Sequence, residues 1–102
     1  MAHLNTFFIQ YEVTGSGEGS EDYEKGLATI IVFARDETEA RARASRYVAK
    51  QGFAIQSFQR IHLLTNQHRD MLNPILANLL SRAELYGIAY IFDRYYQPTP
   101  PQ

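Results

Sequence analysis

Glu12, Arg60, His62, Tyr90 and Asp93 are the residues of this chain whose types could do chemistry together. His62 with Glu12 or Asp93 would make a base-and-carboxylate pair, the half-assembled form of many general acid–base sites. Arg60 shares one side of its strand with His62 and would hold an anion, while a tyrosine such as Tyr90 commonly orients a ligand. All five fall on segments that read as extended, so their meeting depends on strand order and register. Polar groups on strands more commonly face solvent than assemble for catalysis, and these five are candidates for ligand or partner binding, with no catalytic residue assigned.

Other chemistries find less support. Gly15-Ser16-Gly17-Glu18-Gly19-Ser20 has the look of a phosphate loop. Ser20 occupies its last glycine position, the segment leads into a strand instead of a helix, and its carboxylates would repel phosphate. His3, His62 and His68 are the only imidazoles, no two share a helical turn, and there is no cysteine, so no metal site is assigned. Ser16, Ser20, Ser45, Ser57 and Ser81 lack a nucleophile-elbow context. Phe8, Phe58, Tyr90, Phe92 and Tyr95 would suit a base-stacking sheet, but no interleaved basic run accompanies them, and core packing is the simpler role. No cofactor is implied.

Composition narrows the class. The 102 residues suit one domain, and 45% hydrophobic with 13% aromatic residues supply a core without cross-links. Ten basic against eleven acidic residues give a net charge of −1, which argues against binding dominated by a nucleic-acid backbone. The charge is uneven. Residues 15–26 hold Glu18, Glu21, Asp22 and Glu24 against Lys25, whereas residues 37–51 hold Arg41, Arg43, Arg46 and Lys50 against Glu37 and Glu39. Both blocks read as solvated surfaces, the acidic one with the option of a basic partner. With no leader pattern, no run near the ~20 apolar residues of a membrane span and no cysteine, a cytoplasmic protein is expected.

The elements that must position these residues are well marked. In residues 4–14, Phe7, Ile9, Tyr11 and Val13 alternate with Phe8, Gln10 and Glu12, the pattern of a half-buried strand. GSGEGSEDYEKG then reads as the tip of a long hairpin. In residues 27–35, Leu27, Ile31 and Phe33 oppose Ala28, Ile30, Val32 and Ala34, so this strand is apolar on both faces and belongs in a sheet interior. Asp36 is an N-cap with Glu39 placed to reach back to the cap N–H, and Gly52 suits the left-handed position after the helix. Ala40, Ala44, Tyr47 and Val48 form its core stripe. Residues 53–65 alternate out of phase, which a bulge near Ser57 would reconcile. Residues 66–72 read as a loop or an early helical turn, with a helix starting near Asn66 and kinked at Pro74 as the alternative. Asn73 and Pro74 open a second helix that ends at Gly87, with Ile75, Leu76, Leu79, Leu80, Ala83 and Tyr86 inward and Leu85 outside that arc. Residues 88–95 form a last strand, and 97–102 a Pro-rich flexible tail.

The expected fold is therefore α+β: a single domain over 1–96, a two-layer sandwich with a four-stranded mixed sheet and two helices in the order β-β-α-β-α-β. No motif ties the chain to a family. With both helices on one face, the second strand would keep an apolar face uncovered, and a soluble chain seldom leaves such a face wet. The expected function is a self-associating binding or interaction module, with a homodimer as partner state. The alternative is a cofactor-independent enzyme or small-molecule binder with a pocket between sheet and helices or at a dimer seam.

Overall fold

The computed structural model describes residues 4–15 and 24–94. Residues 16–23 of the hairpin tip, Tyr95, Tyr96, the tail and His3 lie outside the described residues. Four strands, β1 (Asn5–Gly15), β2 (Glu24–Ala34), β3 (Phe53–Leu64) and β4 (Ile88–Arg94), form one sheet in the order β3-β1-β2-β4. Three helices accompany them: α1 (Glu37–Lys50), the single turn α2 (Asn66–Arg69) and α3 (Pro74–Tyr86).

The α+β class holds, but three finer expectations do not. Every neighbouring pair is antiparallel, so the sheet is not mixed. A third helix, the single turn α2, stands apart from α3 in the segment read as a loop or an early helical turn. The helices also take opposite faces, making three layers instead of two. Ala40, Ala44 and Val48 of α1 pack with Phe7, Ile9, Tyr11, Val13, Ala28, Ile30 and Val32. Leu79, Leu80 and Ala83 of α3 pack with Ile31 and Ala89 on the other side.

The strand order explains why. β2 and β3 run the same way with β1 between them, so α1 must cross over β1 and occupies that face. The chain must then return from β3 at one rim to β4 at the other. With one face filled, α3 crosses on the second. The interior position of β2 stands, but its second face needs no cover from outside, since Ile31 is fully buried under the chain's own helix.

Local chemistry sets the boundaries. Asp36 accepts from the Glu39 N–H at 2.8 Å, capping α1 as its sequence demands. Glu39 reaches one residue further back than expected, to the Arg35 N–H at 3.1 Å, and its other oxygen pairs with the Arg35 guanidinium at 2.8 Å. That pairing raises the Arg35 pKa and holds the Glu39 carboxyl below the usual carboxylate range, first through the guanidinium hydrogen bond and then through the backbone N–H. Gly52 closes α1 at φ 92°. Asn73 accepts from the Leu76 N–H at 2.8 Å, and Gly87 ends α3 at φ 83°, as the left-handed position after a helix prefers.

Two irregularities on β3 restore its phase. The register against β1 steps past Gln59 between Gln10 and Tyr11, and past Gln56 between Glu12 and Val13. These two bulges flank Ser57 and bring Phe58 onto the face that carries Phe53, Ile55, Ile61 and Leu63. At the end of that face, rings from both outer strands meet. Phe53 and Phe92 lie 4.6 Å apart, and Tyr90 packs against Phe53 and Tyr47. A flat sheet would hold β3 and β4 about 14 Å apart, so the sheet curls here toward α1. Gly26 makes room: a β-carbon there would overlap the Phe92 ring and the Asp93 carbonyl oxygen.

Candidate functional site

Register decides whether the five candidate residues meet. Reading across the α3 face, His62, Phe8, Ile31 and Ala89 form one row, Arg60, Gln10, Thr29 and Ile91 the next, and Ser57, Glu12, Leu27 and Asp93 a third. Four of the five candidates therefore share a face but not a place. Arg60 and Glu12 are diagonal neighbours, roughly 7–8 Å apart at the backbone. His62 and Glu12 sit two rows apart on adjacent strands, roughly 13 Å. Asp93 is on the opposite rim from both His62 and Arg60, three strand spacings across and one or two rows along, so more than about 14 Å away. Tyr90 is on the other face, in the aromatic cluster with Tyr47 and Phe53. The base-and-carboxylate pair drawn from His62 is thus not assembled on the sheet.

The aromatic residues that would suit a stacking sheet are divided the same way. Phe8 faces α3, whereas Phe58, Tyr90 and Phe92 face α1. Phe58 lies against the Tyr11 ring at 5.9 Å and beneath the Arg41 guanidinium at 4.2 Å. Tyr11 in turn is satisfied by Ser45, whose hydroxyl is 3.2 Å from its own.

His62 finds a different setting. Its ring packs against Phe8 with centroids 6.2 Å apart, at the wall of a groove of about 430 Å³ between β3, α2 and α3. Phe8, Leu64, Leu72 and Leu76 form an apolar floor, with His62 and His68 as its imidazoles and Met71 at the rim. His68 is held in place because its Nδ1 accepts the Thr65 backbone N–H at 3.2 Å, which leaves Nε2 as the donor in the neutral ring. Among the described residues no carboxylate lines this groove, so an imidazole here can hydrogen-bond a ligand but has no orienting acid among them. Among the described residues no group of three or more His, Asp or Glu is placed to hold a metal ion.

The groove was missed from sequence because its outer wall, residues 66–72, shows no clear periodicity. The signal available was Thr65 three residues before His68, a cap-like spacing, followed by the apolar pair Met71 and Leu72.

A second surface lies on the opposite rim. Arg43, Arg46, Tyr47 and Lys50 of α1 fall within about 100° of helix surface and line a concavity of about 320 Å³ against Ile88. From the far face, Arg82 and Tyr86 of α3 line an adjoining one of about 380 Å³ that shares Tyr47 and Ile88. The basic side of α1, read from sequence as a solvated surface, is thus a cleft wall beside the core stripe.

No helix among the described residues is long and apolar enough to cross a membrane. No family model matches the chain, and no match was found among curated proteins or solved structures.

Proposed function

We propose that this protein is a non-catalytic, cytoplasmic interaction module that self-associates along the β3 rim. The observation that carries the reading is that four of the exposed large apolar side chains gather at this rim. Ile55, Phe58 and Leu63 lie on one face of β3, and Met71 follows just beyond α2, with Leu63 at 49% and Met71 at 81% exposure. Such clustering on one rim is characteristic of an association surface.

β3 is a twelve-residue outer strand with unpaired backbone groups on its free side. Its bulges interrupt the first half, while Arg60–Leu64 runs in unbroken register with β1. Antiparallel pairing of this stretch with a second copy is self-complementary, as a two-fold contact requires. A two-fold centred on His62 sets Ile61 against Leu63 of the second copy and joins the two grooves. Sedimentation at tens of micromolar should give the mass of two 11.7 kDa chains, reduced to one by Leu63→Lys. A monomer for the parent chain throughout that range would refute the reading.

The groove itself favours a second reading, a binder of small apolar ligands that carry one polar group for His62 or His68. It lies between sheet and helices and its volume falls in the range of ligand sites. Saturable enhancement of an apolar fluorescent dye, abolished by Met71→Arg, supports it; unchanged dye binding in that variant refutes it.

A further inference from the structure

We infer that the cleft at the β4 rim binds a small phosphate-bearing ligand with an aromatic ring, of the nucleotide class. The site is independent of self-association, because β4 and β3 are the two opposite rims of the sheet.

The cations are gathered by the fold, not by composition. The chain as a whole carries a net charge of −1, yet Arg43, Arg46 and Lys50 are placed at i, i+3 and i+7 on one flank of α1, and Arg82 reaches the same rim from α3. Two helices on opposite faces thus converge their cationic flanks on the start of one outer strand. Three of the four are arginines, whose planar forks match phosphate oxygens.

Arg43 is already committed, which gives the cleft a fixed inner wall. Its Nη1 donates to the Phe33 carbonyl, and its other terminal nitrogen lies beside Gly87 at the end of α3. α3 has no basic residue in its own last turn, so Arg43 supplies the positive charge that a helix C-terminus favours. Arg46, Lys50 and Arg82 have no ion pair among the described residues and remain to meet an anion. Among the described residues the ion pair of α1 is at its other end, between Arg35 and Glu39.

Two tyrosines suit the rest of the ligand. Tyr47 is held edge-on by Tyr90 at 5.4 Å, so its ring orientation is fixed before any ligand arrives. Tyr86, 75% exposed at the end of α3, offers an open ring on the facing side. The two concavities share Tyr47 and Ile88 and together have the size of a mononucleotide site, not the length of a polymer track.

The test is calorimetric titration of the full chain with ATP and, separately, with inorganic pyrophosphate, at low and high salt. ATP should bind once per chain, more weakly as salt rises, and about tenfold more tightly than pyrophosphate if a ring stacks. Arg46→Glu should weaken ATP binding at least about tenfold, whereas Lys25→Glu, the same charge change on β2 away from the cleft, should leave it within about twofold. Arg82→Ala, on the other helix, should also weaken it and serves if Arg46→Glu disturbs folding. Absence of ATP binding at low salt, or equal loss in Lys25→Glu, would overturn the site and leave the cations as guards of an outer strand. Equal affinity for pyrophosphate and ATP would overturn the assignment to nucleotides.

Discussion

Replacing Gly26 by alanine tests the curl of the sheet directly. In an ordinary strand this substitution stabilises: the chain loses less backbone entropy, worth roughly 0.5–1 kcal/mol, and a buried methyl adds about 0.8 kcal/mol. Here the new β-carbon would overlap the Phe92 ring edge and the Asp93 carbonyl oxygen. The ring could shift only by disturbing its contact with Phe53 at 4.6 Å. The carbonyl belongs to β4 itself, in register with Leu27 beside Gly26, and cannot move without opening the ladder. Overpacking of a rigid neighbour costs about 1–3 kcal/mol, and two obstacles place this site at about 3. After the gains, Gly26→Ala should lose about 1–2 kcal/mol, lowering Tm by roughly 4–16 °C for a domain of this size. Urea denaturation followed by far-ultraviolet circular dichroism reads the same loss as a lower midpoint at unchanged slope. In a Phe92→Leu background the cost should shrink by at least about 0.5 kcal/mol, because ring and methyl share one space. An alanine variant as stable as the parent, or a cost unaffected by Phe92→Leu, would refute the packing described here.

Four further outcomes follow from the same structure. Leu79→Ala should cost about 2–5 kcal/mol, since Leu79 is buried against the second face of the sheet; a loss below about 1 kcal/mol would mean α3 is not a full third layer. Asn73→Ala should cost about 1 kcal/mol through the lost cap on α3, with urea midpoints as the readout. Gly52→Ala should cost about 1–2 kcal/mol from its left-handed backbone alone, because open space surrounds it, and Gly52→Asn should cost less. The Glu39 carboxyl, held low by Arg35, favours the folded state fully above its unfolded pKa of about 4.3, and this contribution fades as pH falls through the lower folded value. Comparing midpoints at pH 7 and in acid, Glu39→Gln should lose less stability on acidification than the parent; equal losses would refute it.

Helix ends were legible in the sequence because their physics is local. Asp36, Gly52, the pair Asn73 and Pro74, and Gly87 each act within four residues of themselves, and each does what its type suggests. The phase slip of β3 was legible for the same reason, although one bulge was expected and two were needed to return Ile61 and Leu63 to the face of Phe53. What covers β2 was not legible. An apolar face on Ile31 and Phe33 requires a lid but carries no record of which segment supplies it. Ile75 and Tyr86 show the converse: both fit the inward arc of α3, yet both are exposed, because α3 lies over β2 and β4 and its flank looks past the rim. Site residues fared likewise. Strand parity correctly grouped Arg60 with His62, but their distance from Glu12 and Asp93 depends on pairings between segments dozens of residues apart.

The order β3-β1-β2-β4 also has a temporal consequence. The middle of the sheet is made of the two of its four strands that come first in chain order, and each later strand docks onto a ribbon that already exists. α1 follows at once and shields one surface of that ribbon. Leu79 arrives about fifty residues after Ile31, which at roughly 5–20 residues per second leaves the nascent chain greasy on its other surface for several seconds.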